Sequence, residues 1–140
     1  MIQRIQTLWL LIASALAFTT LKTSFFSGNF MVDNSKQFRH FTAMDNTLLT
    51  VLTIVVALAA LVAVFLYKDR KLQMRVVSAA MVLSILNLVY YYFQTRDFVP
   101  ADWAFDLTAL IALAVPFFLF LATRGIYRDN KIMKSLDRLR

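Results

Sequence analysis

Long apolar runs alternate with short polar ones along this chain, and the runs have the length of membrane spans. Leu48 to Tyr67 is twenty residues without a charge, which at 1.5 Å per residue makes about 30 Å of helix, the thickness of a hydrocarbon core. Val76 to Phe93 is a second such run, ending in Tyr90, Tyr91, Tyr92 and Phe93 as an interfacial aromatic belt. Trp103 to Ala122 is another, with Pro100 ahead of it and Asp102 placed as a cap. The first run, Thr7 to about Leu21, reaches span length if it continues through Phe25 and Phe26, with Trp9 at headgroup level. The small-x-small triplets Ala13-Ser14-Ala15 and Ala15-Leu16-Ala17 fall inside that run, so the reading is an uncleaved span. The predicted spans are therefore about 7–26, 48–67, 76–93 and 103–122, with a tail over 123–140.

The polar segments assign sides. Lys68-Asp69-Arg70-Lys71-Leu72-Gln73-Met74-Arg75 sets four cations against one aspartate in a short turn, which keeps it cytoplasmic. Ser27 to Asn46 is then an outer loop, with turn chemistry at Gly28-Asn29 and Asp33-Asn34-Ser35 and an aromatic surface from Phe25, Phe26, Phe30, Phe38 and Phe41. Asp45 or Asn46 is placed to cap the following helix. In the tail, Ile132, Leu136 and Leu139 share one helical face with Met133 beside it, and Arg124, Arg128, Lys131 and Arg138 share another. Such a basic amphipathic segment associates with anionic lipid. The expected fold is all-α: a four-span transmembrane helical bundle with both termini cytoplasmic.

Composition supports the membrane reading. Of 140 residues, 60% are hydrophobic and mean hydropathy is +0.65, more apolar surface than a small water-soluble domain buries. The net charge of +7 is confined to blocks between the runs, so lipid accounts for the cations and nucleic acid is disfavoured. The acids are all Asp.

Several chemistries lack their residues. With no Cys there is no thiol redox centre, and one His, His40, does not make an axial haem pair within spans. The constellations of an intramembrane protease are missing as well. No catalytic, cofactor or metal site is expected.

The polar residues within spans have structural readings. Asn87 should hydrogen-bond a partner helix. Asp106 should complement a helix N-terminus together with Asp102. Pro116 should kink the fourth span by removing the bond to Ala112. Ala57, Ala59, Ala60 and Ala63, and less fully Ala109 and Ala112, provide small-residue faces for helix packing. Tyr67-Lys68-Asp69-Arg70-Lys71 and Tyr127-Arg128-Asp129-Asn130-Lys131 stand at matching places after the second and fourth runs. Duplication of a helical hairpin would explain that, and so would the rule for inner boundaries.

The chain resembles a known family through Met1-Ile2-Gln3-Arg4-Ile5-Gln6-Thr7-Leu8, Leu66 to Arg75, and Leu121-Ala122-Thr123-Arg124-Gly125-Ile126 through Ser135-Leu136-Asp137-Arg138-Leu139-Arg140. It is similar over essentially its whole length to small four-helix inner-membrane proteins of the Bacteroidota, known only as a domain of unknown function. Thr123 stands where the family pattern has Asn, Leu136 where it has Ala, and the outer loop is short for the family. The resemblance implies location and helix count and brings no activity.

The leading expectation is a non-enzymatic accessory or scaffold subunit. Its inner rim of Lys68, Arg70, Lys71, Arg75, Arg124, Arg128, Lys131, Lys134, Arg138 and Arg140 would contact acidic membrane lipid or an acidic protein partner. The alternative is a small homo-oligomeric transporter or channel using Asn87, Asp106 and Pro116.

Overall fold

The computed structural model describes residues 2–32, 35–97 and 103–137. Four helices dominate it: α1 (Ile2–Thr19), α2 (Thr47–Phe65), α3 (Arg70–Gln94) and α4 (Ala109–Asp137). Three strands, β1 (Ser24–Val32), β2 (Ser35–Thr42) and β3 (Trp103–Phe105), form one antiparallel sheet in the order β2-β1-β3. The all-α expectation is corrected to this extent. The segment read as an outer loop is a hairpin, with Gly28-Asn29 inside β1 rather than in a turn.

Side-chain burial explains the hairpin. Phe26 is fully buried against Phe41, which faces it across the strand pair with ring centroids 4.8 Å apart. Phe25 stacks on Tyr91 at 4.5 Å. A register shift between Ser24 and Phe26 lets these two consecutive rings both point inward, which the alternation of a regular strand forbids. With Ala43, Leu49, Ala109 and Ala112 they form a core that closes one end of the helices. Cross-strand aromatic pairs of this kind contribute about 0.2–1 kcal/mol beyond Ala pairs.

The helix ends differ from expectation in two places. Helix α1 stops at Thr19, where Thr19 and Thr20 hydroxyls hydrogen-bond the carbonyls of Ala15 and Ala17 and compete with the continuing ladder. Phe25 and Phe26, assigned above to the first span, are strand residues. Helix α4 begins at Ala109 rather than Trp103 and continues to Asp137, through Pro116 and into the expected tail. Asn46 does cap α2, accepting from Leu48 N at 2.9 Å. Asp69 caps α3 in the same way, accepting from Leu72 N at 3.1 Å.

Helix α1 packs on α2 and α4, and α3 packs on the same two from the other side. Ala13, Ala57, Ala60, Ala63, Ala80 and Ala122 are fully buried between them, so small side chains let the helices approach closely, as the alanine faces suggest. Polar bonds mark successive levels of this packing. Ser24 meets Thr108 at the sheet end, Asn87 Nδ2 donates to Thr53 Oγ1 at 2.9 Å and Ser14 Oγ to the Ala57 carbonyl at 3.0 Å in the middle, and Gln73 Nε2 to the Ala63 carbonyl at 2.9 Å towards the far end.

Outward, large apolar side chains are exposed on all four helices, among them Leu8, Leu11, Val55, Leu58, Ile85, Val89, Leu113 and Phe117. Water-soluble monomers do not expose apolar surface on this scale. Thr47–Lys68, Arg70–Gln94 and Ala109–Met133 are long and apolar enough to cross a membrane, whereas the apolar stretch of α1, Ile5–Thr19, is shorter.

Candidate functional site

Two clefts lie at opposite ends of the helices. The one away from the sheet opens between α1 and α4, has a volume of about 510 Å³, and is lined by Gln6, Trp9, Arg124, Arg128, Asp129 and Ile132 among others. Its floor is a buried polar pair: Gln6 Nε2 donates to Asp129 Oδ2 at 2.6 Å, and both residues are less than a tenth exposed. Gly125 makes the pair possible, because a Cβ there would stand 2.8 Å from Gln6 Cγ. The ends on which the family resemblance rests therefore meet in space, 123 residues apart in sequence.

Trp9 is half-buried and stacked on Phe118 at 5.5 Å. No site role for Gln6, Trp9, Gly125 or Asp129 is read from the sequence. A signal for two of them exists. Gln6 continues the buried stripe Leu10, Ala13, Ala17 at helical spacing, and Asp129 follows Ala122 and Ile126 on the buried side of α4. A polar residue on such a stripe needs a polar partner.

Of the predicted rim, Lys68, Lys71 and Arg75 are exposed at the α2–α3 turn, with Arg70 half-buried. Arg124, Arg128 and Lys131 are exposed on α4, at the same end of the molecule. Lys134 lies in α4 with its side chain outside the described part, and Arg138, Arg140 and Leu139 fall outside the described residues, as does Asp102. Of the rim side chains described, Arg124 and Arg128 line the cleft. The two Tyr-cation-Asp stretches have unlike roles, for Asp69 caps a helix at a break while Asp129 lies buried inside one.

The sheet-end cleft, about 380 Å³, is lined by Phe25, Tyr92, Phe105 and Asp106 among others. Asp106 precedes α4 and ties it to the sheet: its amide donates to the Phe25 carbonyl at 3.1 Å, and its Oδ1 accepts from Ser27 Oγ at 2.7 Å. His40 Nδ1 stands 3.6 Å from Oδ2. Burial alone would raise this carboxyl, but the Ser27 hydrogen bond and the neighbouring Ser24 and His40 side chains outweigh it and hold it below the usual range, while Oδ2 itself is buried without a hydrogen-bond donor. Asp45 is likewise lowered against its burial, by Thr42 and by Arg39, whose guanidinium lies 2.6 Å away.

Between the clefts, a cavity of about 20 Å³ touches Thr20, Thr53, Ser84, Asn87 and Tyr91. Asn87 has the helix partner expected of it, yet its Oδ1 is buried with no hydrogen-bond donor. The hydroxyls of Thr20, Thr53 and Ser84 donate to carbonyls of their own chain segments, so they offer the cavity lone pairs only. Space and chemistry there match one water molecule. Asn87 lines this cavity, Asp106 lines the sheet-end cleft, and Pro116 lines neither. Among the described residues, no group of three or more acidic, His or Cys side chains could hold a metal ion.

These features define a mostly helical chain, three of whose four described helices have the length and apolarity of membrane spans, closed at one end by a small sheet. The chain belongs to the family described as a domain of unknown function (DUF4293), which it matches over residues 2–139. No match was found among curated proteins or among solved structures.

Proposed function

We propose that the protein is a multi-pass protein of the bacterial inner membrane, with α1 to α4 as four spans and both ends of the chain cytoplasmic. It would work without catalysis, as an accessory or scaffold subunit whose basic rim contacts acidic lipid or an acidic partner. The observation that carries this reading is the gathering of Lys68, Arg70, Lys71, Arg75, Arg124, Arg128 and Lys131 at the end away from the sheet, where short basic segments are retained on the cytoplasmic side.

Helix α1 counts as the fourth span for two reasons. Its 18 residues make about 27 Å of helix, and it lies between α2 and α4 with Leu8, Leu11 and Phe18 exposed as on its neighbours. The transporter reading has less support, because Asn87 and Asp106 line different cavities and Pro116 lines neither.

Reversal of charge at Arg124, Arg128 and Lys131, followed by gentle detergent extraction, tests the proposal. Reduced recovery of co-purifying acidic lipid or protein is the expected result. Unchanged membrane retention together with unchanged recovery of both would refute it.

A further inference from the structure

The cleft between α1 and α4 presents both signs of charge, which a surface made only for acidic lipid has no reason to do. We propose that it holds the headgroup of one aminophospholipid, the phosphate on Arg124 and Arg128 and the primary ammonium on Asp129. The inference rests on the reading that the basic end of the helices lies at a bilayer surface.

The carboxylate comes first. Asp129 is 7% exposed, and its one hydrogen bond among the described residues is the 2.6 Å bond from Gln6. No described cation lies within ion-pair distance of it, although it lines the cleft. A carboxylate in so little water is costly without a positive partner, and a neutral amide supplies only part of what it needs.

The cations are complementary. Arg124 and Arg128 stand one helical turn apart on α4, are exposed, and make no ion pair or hydrogen bond among the described residues. Guanidinium groups match the oxygens of a phosphodiester in a fork geometry. Arg128 lies nineteen residues beyond Ala109, about 28 Å along the helix and so near the end of a ~30 Å hydrocarbon core, with Arg124 one turn before it.

Size and walls narrow the ligand further. A volume of about 510 Å³ far exceeds that of a phosphate ion and falls within the usual range for small-molecule clefts. Trp9, Leu121 and Ile132 give apolar walls for the glycerol and the first methylenes. A headgroup lacking an amine leaves Asp129 unmatched, and a quaternary amine has no N–H to donate to it.

The test is native mass spectrometry of the full chain in detergent, offered phosphatidylethanolamine, phosphatidylglycerol and phosphatidylcholine in equal amounts, with inorganic phosphate in a separate arm. One retained phosphatidylethanolamine, with about tenfold preference over each of the others, is expected, with no stable phosphate adduct. Asp129→Asn keeps an acceptor for Gln6, so it should preserve the fold and total lipid retention while erasing that preference. Arg124→Gln with Arg128→Gln should lower retention of every lipid by about tenfold or more, whereas Lys68→Gln with Lys71→Gln, outside the cleft, should change nothing. Equal or greater retention of phosphatidylglycerol by the native chain, or a preference unaltered by Asp129→Asn, would overturn the proposal, as would a phosphate adduct as stable as the lipid one. Sidedness is read separately, by labelling Asn130→Cys with an impermeant maleimide: labelling from outside intact cells overturns the cytoplasmic assignment and leaves the headgroup result standing.

Discussion

Truncation of Phe26 measures how much the sheet contributes. The ring is fully buried, stacked on Phe41 at 4.8 Å, edge-on to Phe25 at 6.2 Å, and near Trp103 at 6.1 Å. Phe26→Ala removes the transfer energy of the ring and leaves a cavity among groups that pack from both neighbouring strands, a loss of about 3–5 kcal/mol in well-packed sites. The assay is thermal unfolding of purified protein in one detergent, with Phe38→Ala as the control. Phe38 lies on the same hairpin with 65% of its surface exposed, and its truncation should shift stability by less than about 0.5 kcal/mol. The expected result is a midpoint lowered on the order of 10 °C for Phe26→Ala and unmoved for Phe38→Ala. Equal, small shifts for both would refute the reasoning, since they would mean that residues 24–42 behave as a surface loop.

Further outcomes follow from other levels of the packing. Gly125→Ala places a methyl 2.8 Å from Gln6 Cγ, so it should destabilise by about 1–3 kcal/mol; if thermal unfolding is unchanged, the close approach of α1 and α4 is wrong. Asp69→Ala, removing the α3 cap at Leu72 N, should cost about 1 kcal/mol in the same assay, and no loss would contradict the capped turn. Asp45 and Asp106 are held below the ordinary value of 3.8, so their stabilising contribution is present above that pH and is lost as the pH falls through their folded values. Acid titration should thus show a stability loss below about pH 4 that Asp106→Asn reduces, and an undiminished loss would remove Asp106 from the account. Asn87→Leu gives up the Thr53 bond together with the unpaired Oδ1, so its net effect on unfolding should stay within about 1 kcal/mol; a severe loss would assign Asn87 more than packing.

The helices were legible because their signal is local. Apolar length, the Asn46 cap, the alanine faces and the need of Asn87 for a partner can each be read from a short window. What escaped depends on distant partners. Consecutive Phe25 and Phe26 look like the end of a span, and only the shifted register against β2 shows why both are buried in a strand. Gly28-Asn29 has turn chemistry but lies in the central strand, paired with β2 and with Trp103 of β3 on the other side. The tail was separated from the fourth span on charge, yet α4 runs on because Ile126 and Asp129 are buried against α1 and its Gln6. The cleft itself was invisible for the same reason, being made from two segments at opposite ends of the chain.

The orientation of the helices is the claim on which the functional reading depends, and the absence of native Cys makes it directly accessible. Single cysteines at Gln37 on β2 and at Lys71 in the first turn of α3, both exposed positions, would be treated with a membrane-impermeant maleimide in intact and in opened cells. The account predicts that Gln37→Cys reacts in intact cells once the outer barrier is permeable to the reagent, and that Lys71→Cys reacts only after the inner membrane is breached. Labelling of Lys71→Cys in intact cells, with Gln37→Cys protected or equally reactive, would contradict it.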